Sequence, residues 1–596
     1  MDSIRIGCAS AFWGDTNTAA AQLVGRGQLD YLVFDYLSEV TMSILAAKRQ
    51  RDANAGYAED FVRYALTPLL TEIKAQGIKV VSNAGGINPE ACRDALAAAA
   101  AEAGVEFNIA VVTGDDLMGR RDELESGLKP LEGDEPLPEK LVSMNAYLGA
   151  TPIAAALAEG ADIVITGRCV DSAVVLGPLM HEFGWQTDDY DKLAQGSLAG
   201  HIIECGAQCT GGNFTDWQRV APGFDDMGFP IVEASSDGSF VVTKPDHTGG
   251  LVSPNTVGEQ MLYEIGDPRA YLLPDVACDF TRVELTQAGD DRVQVTGATG
   301  QAPNADYKVS ATYMDGYRCT ALFMVGGIDA PAKARANAEA IITKTERTFA
   351  QRGFAPYAGH DVETLGAESL YGDNARPGAA NTREVMVKIA VRHESKDALK
   401  IFTRELAQAA TGMAPGVTGY FGGRPNVSPV IRLYSCLVPK TDVPVVADVD
   451  GRRIDMEIDG SGGYDPAALP DTVGADVWTA DADAVAVPLI KLALARSGDK
   501  GDHGNIGVIA RQPEYLPYLR AALTDDAVAD YFAHLLDGEV RHWELPGIDG
   551  FNFFLTNVLG GGGIASLRAD PQGKCLGPML LDFAVPVPAA LAAELD

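Results

Sequence analysis

The chain has 596 residues, more than one hydrophobic core normally organises, so at least two domains are expected. With 46% hydrophobic and 22% charged residues it is an ordered globular sequence. Its formal charge of -35 argues against nucleic acid or an anionic membrane surface as a partner, because phosphates would be repelled.

A first strand is expected over 4–8, followed by a turn in which Asp15 or Thr16 caps a helix running to about residue 26. A second strand over 31–35 ends at Asp35, with Glu39 close behind and helical patterns to about 51 and over 58–76. The third, 78–82, runs into Asn83-Ala84-Gly85-Gly86-Ile87-Asn88 and stops at Pro89, which suits the first turn of a helix. That loop offers side-chain amides at Asn83 and Asn88. Gly85 and Gly86 could present free backbone N–H groups to an anion, although a plain tight turn is the commoner use. A fourth strand over 107–112 ends at Asp115 and Asp116, and 127–139 is a Pro- and acid-rich surface loop. After a strand over 141–147 and a helix over 152–159, the segment 161–177 repeats the grammar: a β-branched run stops at Gly167-Arg168, and a helix resumes near Asp171.

Strands alternating with helices, apolar throughout rather than at every other position, indicate an α/β fold with a mostly parallel sheet covered on both faces. A doubly wound sheet is the first expectation and a partial barrel the second; in the former the polar strand ends converge on one edge. No GxGxxG or GxxxxGK[ST] follows these strands, so no nucleotide cofactor is signalled.

Helical patterning over 190–213 brings Cys205 and Cys209 to one face, a weak zinc signal beside the ordinary reading of packed free thiols. Residues 230–327 read as an antiparallel β-rich subdomain, interrupted by a polar loop in which Lys244 would suit a carboxylate or phosphate. Helices over 330–352 and 396–410 bracket a strand over 384–392, a second layer of the same body. A glycine-dense turn over 413–429 precedes a strand over 430–434. The acidic, Gly/Pro-punctuated 451–485 reads as a connector between a main domain, 1–450, and a small α+β domain, 486–596. In the latter a strand over 487–495 opens into a twelve-residue loop over 496–507 that carries Asp499, Lys500, His503 and Asn505, and Gly560–Gly563 adds a second backbone-rich loop.

The nine cysteines are odd in number and scattered, which points to reduced thiols in the cytosol. Residues 1–8 lack a basic flank before an apolar stretch, and no window approaches the roughly 18 apolar residues that span a bilayer, so neither an export signal nor an anchor is expected.

Five stretches, IRIGCASAFWGDT, SNAGGINP, ADIVITGRCVDSAVVLGP, EQMLYEIGDPRAYLLPDV and SGDKGDHGNIGVIAR, together resemble the acyclic terpene utilisation AtuA family, over about 4–450 for its main domain and 487–587 for an appended ferredoxin-fold domain. Members occur alongside acyl-CoA carboxylases, enoyl-CoA hydratases and acyl-CoA dehydrogenases. The resemblance implies work on a branched acyl-CoA or a related carboxylate, by hydration or by cleavage of a 3-hydroxy-3-methylglutaryl-type ester. His503 stands where the family is expected to carry a small residue, so no catalytic role is carried onto it.

Such chemistry needs a general base and a donor to the enolate oxygen. Asp15, Asp115 and Asp171 are the candidate bases; Arg168 and Lys500 are the candidate donors. Asn83, Gly85, Gly86, Asn88, Lys244, Asp499 and Asn505 are the candidate substrate contacts. If Asp35, Asp115 and Asp171 clustered, their repulsion would call for Mg²⁺ held by oxygen ligands; no other cofactor is implied. A single aspartate after a strand is ordinarily a helix N-cap, so only convergence favours function. The expectation is a cytosolic lyase or hydratase that binds a small acyl-CoA or carboxylate and assembles as a homo-oligomer. The rival is a non-catalytic binding or scaffolding subunit of a carboxylase or hydratase complex.

Overall fold

The computed structural model describes residues 3–420, 422–470, 474, 476–480, 482–563 and 565–595. Its centre is five parallel strands in the order Ser3–Cys8, Tyr31–Phe34, Lys79–Ser82, Ile163–Thr166, Ile109–Thr113. Within the second of these, Tyr31 and Val33 enter one apolar cluster while Leu32 and Phe34 enter the other. The same division separates Val164 from Ile163 and Ile165. Side chains alternate across a strand, so a run that is apolar at every position is buried on both faces. Helices Ala19–Arg26, Glu39–Arg49 and Pro89–Glu102 cover one face, and Thr151–Ala158, Ala173–Phe183 and Tyr190–Ile203 the other.

The expectation of a mostly parallel sheet holds only for those five strands. Ile231–Ser235 pairs antiparallel with Ser3–Cys8 and is extended by Phe240–Thr243, Arg292–Thr296 and Glu284–Gly289; Val446–Val449 and Arg452–Asp455 extend the other edge. The result is one mixed sheet of eleven strands. Part of the segment 230–327, expected as a β-rich subdomain within the main domain, thus joins the central sheet, and so does Arg452–Asp455 at the start of what reads as the acidic connector. Backbone groups at a sheet edge are satisfied by whichever strand pairs with them, and here distant segments do so.

A second, seven-stranded sheet is built on the long strand Asp306–Gly326, paired with Glu384–His393, Val427–Pro439 and Leu141–Ala146. The helix Ala330–Arg352 lies against it as expected.

The C-terminal region is a four-stranded antiparallel sheet in the order Ala493–Lys500, His503–Ala510, Gly550–Leu555, Val540–Leu545, with helices Leu516–Ala522 and Asp525–Tyr531. The expected loop over 496–507 is instead a β-hairpin: Lys500 pairs with His503, and only Gly501 and Asp502 form the turn, with Gly501 at φ +64°. Its polar and glycine residues sit inside strands because they meet the main domain. Asn505 accepts from the Glu264 N–H at 3.0 Å and donates to Leu262 O at 2.6 Å and to Asn552 Oδ1 at 2.8 Å. Asn552 in turn donates to Ile265 O and Gly266 O. Thr215 exchanges hydrogen bonds with the Ala495 backbone, and Arg511 grips Asp216 with both guanidinium nitrogens at 2.6 and 2.9 Å.

Among the described residues no helix is long and apolar enough to cross a membrane. All nine cysteines are free.

Candidate functional site

The carboxyl ends of the parallel strands do converge. Asp35 follows Tyr31–Phe34 and accepts from Asn83 Nδ2, which follows Lys79–Ser82, at 2.5 Å. Asp115 follows Ile109–Thr113 and accepts from the Arg168 N–H at 2.8 Å and from Asn145 Nδ2 at 2.9 Å. Gly167 is required at that approach, because a Cβ there would overlap the Asp115 carboxylate. Arg168 turns its guanidinium to Asp171 Oδ1 and to Cys169 O, both at 2.6 Å, and stacks it 4.1 Å from the centre of the Tyr147 ring.

Around this edge lies a group of charges that no single strand end supplies. The Tyr147 hydroxyl donates to Glu39, and the Lys308 ammonium stands 3.7 Å from the same carboxylate. Burial would raise Glu39, but Lys308, Arg168 and Tyr147 hold it down at about 2. His201 and Glu204, one helical turn apart, place Nδ1 and Oε1 3.1 Å from each other. Opposite them the C-terminal hairpin presents Asp499 and Lys500, with Lys500 5.9 Å from the centre of the Tyr271 ring. Lys574 bonds to Tyr263 OH and stands 3.6 Å from Glu264 and 3.9 Å from Asp499. The two domains thus form a charged seam.

Five of its carboxyl groups, unlike Glu39, are held above the ordinary carboxylate range. Burial pushes Asp35 and Glu204 well above the carboxylate range, and the negative charge of Asp171 adds to both shifts. Burial pushes Glu264 up to about 7 against the pull of Lys500. It takes Asp499 to about 8, with Glu264 and Glu39 adding to the rise. Asp115 rises to about 7, mainly by burial and despite its two donors. Lys574 falls to about 8 because it too is buried. Proton donors, proton acceptors and fixed cations therefore face one another where charge is weakly screened. Cys205 is no thiolate nucleophile here, since burial, then Glu264 and Glu204, drive its thiol well up.

Of the residues singled out in the sequence, Asp35, Asp115, Arg168, Asp171, Asp499, Lys500 and Asn83 lie at this edge or seam. Others are corrected by their partners. Asp15 accepts from the Ala11 N–H at 3.0 Å and ties its own loop, and the next helix starts only at Ala19. Asn88 donates to Ala53 O and Ala55 O, both at 2.9 Å. Gly85 and Gly86 spend their N–H groups on Thr166 O and Asn83 O, so the turn offers them to no anion. Lys244 is buried against Asp291 Oδ2 at 3.0 Å and Thr248 O at 3.1 Å. Asn505 is consumed by the domain contact. Asp35, Asp115 and Asp171 each give one oxygen to a protein donor, Asp35 to Asn83, Asp115 to Asn145 and the Arg168 N–H, and Asp171 to the Arg168 guanidinium. Among the described residues no group of three or more His, Cys, Asp or Glu is arranged to hold a metal ion.

The sequence reading passed over Tyr147, His201, Glu204, Glu264, Lys308 and Lys574. One signal was available: His201 and Glu204 interrupt the otherwise apolar end of the helix Tyr190–Ile203 at i, i+3 spacing. His503 has a structural partner instead, with Nε2 2.9 Å from Glu132 Oε1 and Nδ1 accepting from the Asn557 N–H.

Compared with known families, residues 4–449 match the model described as acyclic terpene utilisation family protein AtuA, and residues 487–586 match the AtuA ferredoxin-like domain. A comparison with curated proteins finds no significant match, and neither does one with solved structures.

Proposed function

Since the chain belongs to the acyclic terpene utilisation AtuA family, we propose that it is a catabolic enzyme acting in the cytosol on a branched or terpenoid-derived acyl-CoA or carboxylic acid, as a hydratase or a 3-hydroxyacyl-CoA lyase. The observation that carries this reading is the seam: two carboxyl groups at about 7 and 8, Glu264 and Asp499, stand beside Lys500, and the charge of Asp171, the partner of Arg168, reaches Glu264. Both reaction classes remove or deliver a proton next to a thioester carbonyl and pass through an enolate-like oxygen. A carboxyl group titrating near neutral pH serves the proton transfer, and a fixed ammonium or guanidinium serves the oxygen. In this assignment Glu264 and Asp499 handle protons and Lys500 stabilises developing charge. Asp171 acts through Arg168 by holding its guanidinium against the Tyr147 ring.

The test is to incubate the purified full chain with a panel of enoyl-CoA and 3-hydroxy-3-methylglutaryl-type thioesters, with and without EDTA. Turnover of at least one is expected, with Lys500→Met lowering kcat/KM by about 100-fold or more at an unchanged melting temperature. No turnover across the panel, together with co-purification of a carboxylase, would replace the enzyme by a scaffolding subunit.

A further inference from the structure

The pair His201 and Glu204 holds a proton whose place can be deduced from geometry. His201 Nε2 lies 3.0 Å from Met261 O, and a carbonyl oxygen only accepts, so Nε2 carries hydrogen. In a neutral imidazole Nδ1 is then a lone pair. Glu204 Oε1, 3.1 Å away, can bond to it only by donating. The competing arrangement, imidazolium against carboxylate, would bury two full charges on side chains that are 1% and 7% exposed. Burial opposes it, and so does the charge of Lys500; together they outweigh the Met261 carbonyl, Glu264 and Asp171 and push His201 down to about 4. Glu204 is faced by Asp171, Lys500, Glu264 and Arg168, with Asp35, Cys205 and Tyr271 near enough to feel its charge. The Tyr271 and Phe280 rings flank the imidazole at 5.4 and 6.3 Å and keep it dry.

A second observation points to a ligand. Glu204 Oε2 is buried and has no hydrogen-bond partner. With the acid's hydrogen committed to Nδ1, Oε2 is a carbonyl-type oxygen that can only accept. Buried acceptors of this kind are costly unless a donor arrives.

We propose that Glu204 is a neutral carboxylic acid locked by His201, and that its Oε2 is the binding site for a hydroxyl group of the ligand. The choice of a hydroxyacyl ligand rests on the proposed function; the protonation of Glu204 does not. Arg168, Lys500 and Glu264, whose charges reach Glu204, are the groups that would meet the rest of an acyl chain.

Two measurements test this on the full chain. Nitrogen NMR of ¹⁵N-histidine-labelled protein, with His201 assigned by the loss of its signals in His201→Gln, is expected to show the neutral Nε2–H tautomer from pH 5 to 8; an imidazolium signature at pH 7 overturns the proposal. Calorimetry with 3-hydroxybutyryl-CoA and butyryl-CoA is expected to favour the hydroxy ester about five-fold or more. Glu204→Gln, whose amide still donates to Nδ1 and still offers a carbonyl oxygen, keeps that preference, and Glu204→Met loses it. Equal affinities in the wild type overturn the hydroxyl site. If neither ester binds, the CoA reading fails instead, and the same preference is read with 3-hydroxybutyrate against butyrate, where equality overturns the site.

Discussion

The two edges of the central sheet are built from the same strands and could hardly differ more. At the amino ends a groove of about 660 Å³ is lined by Lys74, Glu106, Phe107, Asn108, Asp162 and Asp450. Its one close ion pair, Lys74 with Asp162 at 3.0 Å, is substantially exposed, the kind of pair that contributes little. At the carboxyl ends the hollow lined by Glu39, Asn145, Tyr147 and Arg168 measures about 10 Å³, yet Asp35, Glu204, Glu264 and Asp499 are all driven upward there. Volume marks where the surface happens to fold in; perturbed acids beside fixed cations mark where free energy is held in a particular charge arrangement. The carboxyl edge has that property because loops leave the strands there and a second domain closes over them.

The largest effect separating the edges is expected from Asn505→Leu. Leucine would strand the Glu264 N–H, Leu262 O and Asn552 Oδ1, each at about 1–3 kcal/mol if left unpaired. Glu264 adopts φ +58°, uncommon for a residue with a side chain, and this contact holds it there. A melting temperature lower by a few degrees, with a larger loss of kcat than of substrate affinity, is the expected outcome. Lys74→Met at the amino edge is expected to change stability by no more than about 0.5 kcal/mol. Equal behaviour of the two variants in thermal denaturation and kinetics would erase the distinction between the edges.

A smaller effect is a pH slope. Asp499 rises from the ordinary aspartate value of 3.8 to about 8 in the fold, and Glu264 to about 7. Each binds its proton more tightly when folded, so its contribution to stability is complete below its unfolded value and is lost as pH rises through its folded one. The melting temperature is therefore expected to fall as pH rises from about 4 to about 8, and Asp499→Asn to flatten the upper part of that fall. An unchanged slope would mean that Asp499 is not held up by the seam.

How far the sequence foretold this depends on the kind of residue. Asp35, Asn83 and Asp115 were legible because each follows a run of apolar residues, and a polar residue there must lie at a strand's end. Arg168 and Asp171 were legible for the same reason, although their mutual bond was not. Asp499 and Lys500 stood out by polar density, but the strands carrying them did not: glycines and polar residues within 496–507 imitate a loop, and only the Asn505 contact with 262–264 explains why such residues are buried in a strand. Glu204 lay inside a segment that reads as helix and Glu264 inside one that reads as antiparallel β, and periodicity says which face is apolar, not which carboxyl is enclosed by another domain. The antiparallel wings of the sheet were hidden for a related reason. Whether Ile231–Ser235 extends the central sheet or begins a separate subdomain depends on pairing with Ser3–Cys8, more than two hundred residues away.

The most direct test of the seam as the reacting centre is a crystal structure of the full chain soaked with 3-hydroxybutyryl-CoA. The acyl group is expected between the Asp499-Lys500 hairpin and Arg168, with its thioester oxygen within hydrogen-bond reach of Lys500 or Arg168 and its α-carbon facing Glu264 or Asp499. An acyl group lodged in the amino-edge groove beside Lys74, with the seam closed and its ion pairs intact, would contradict the account.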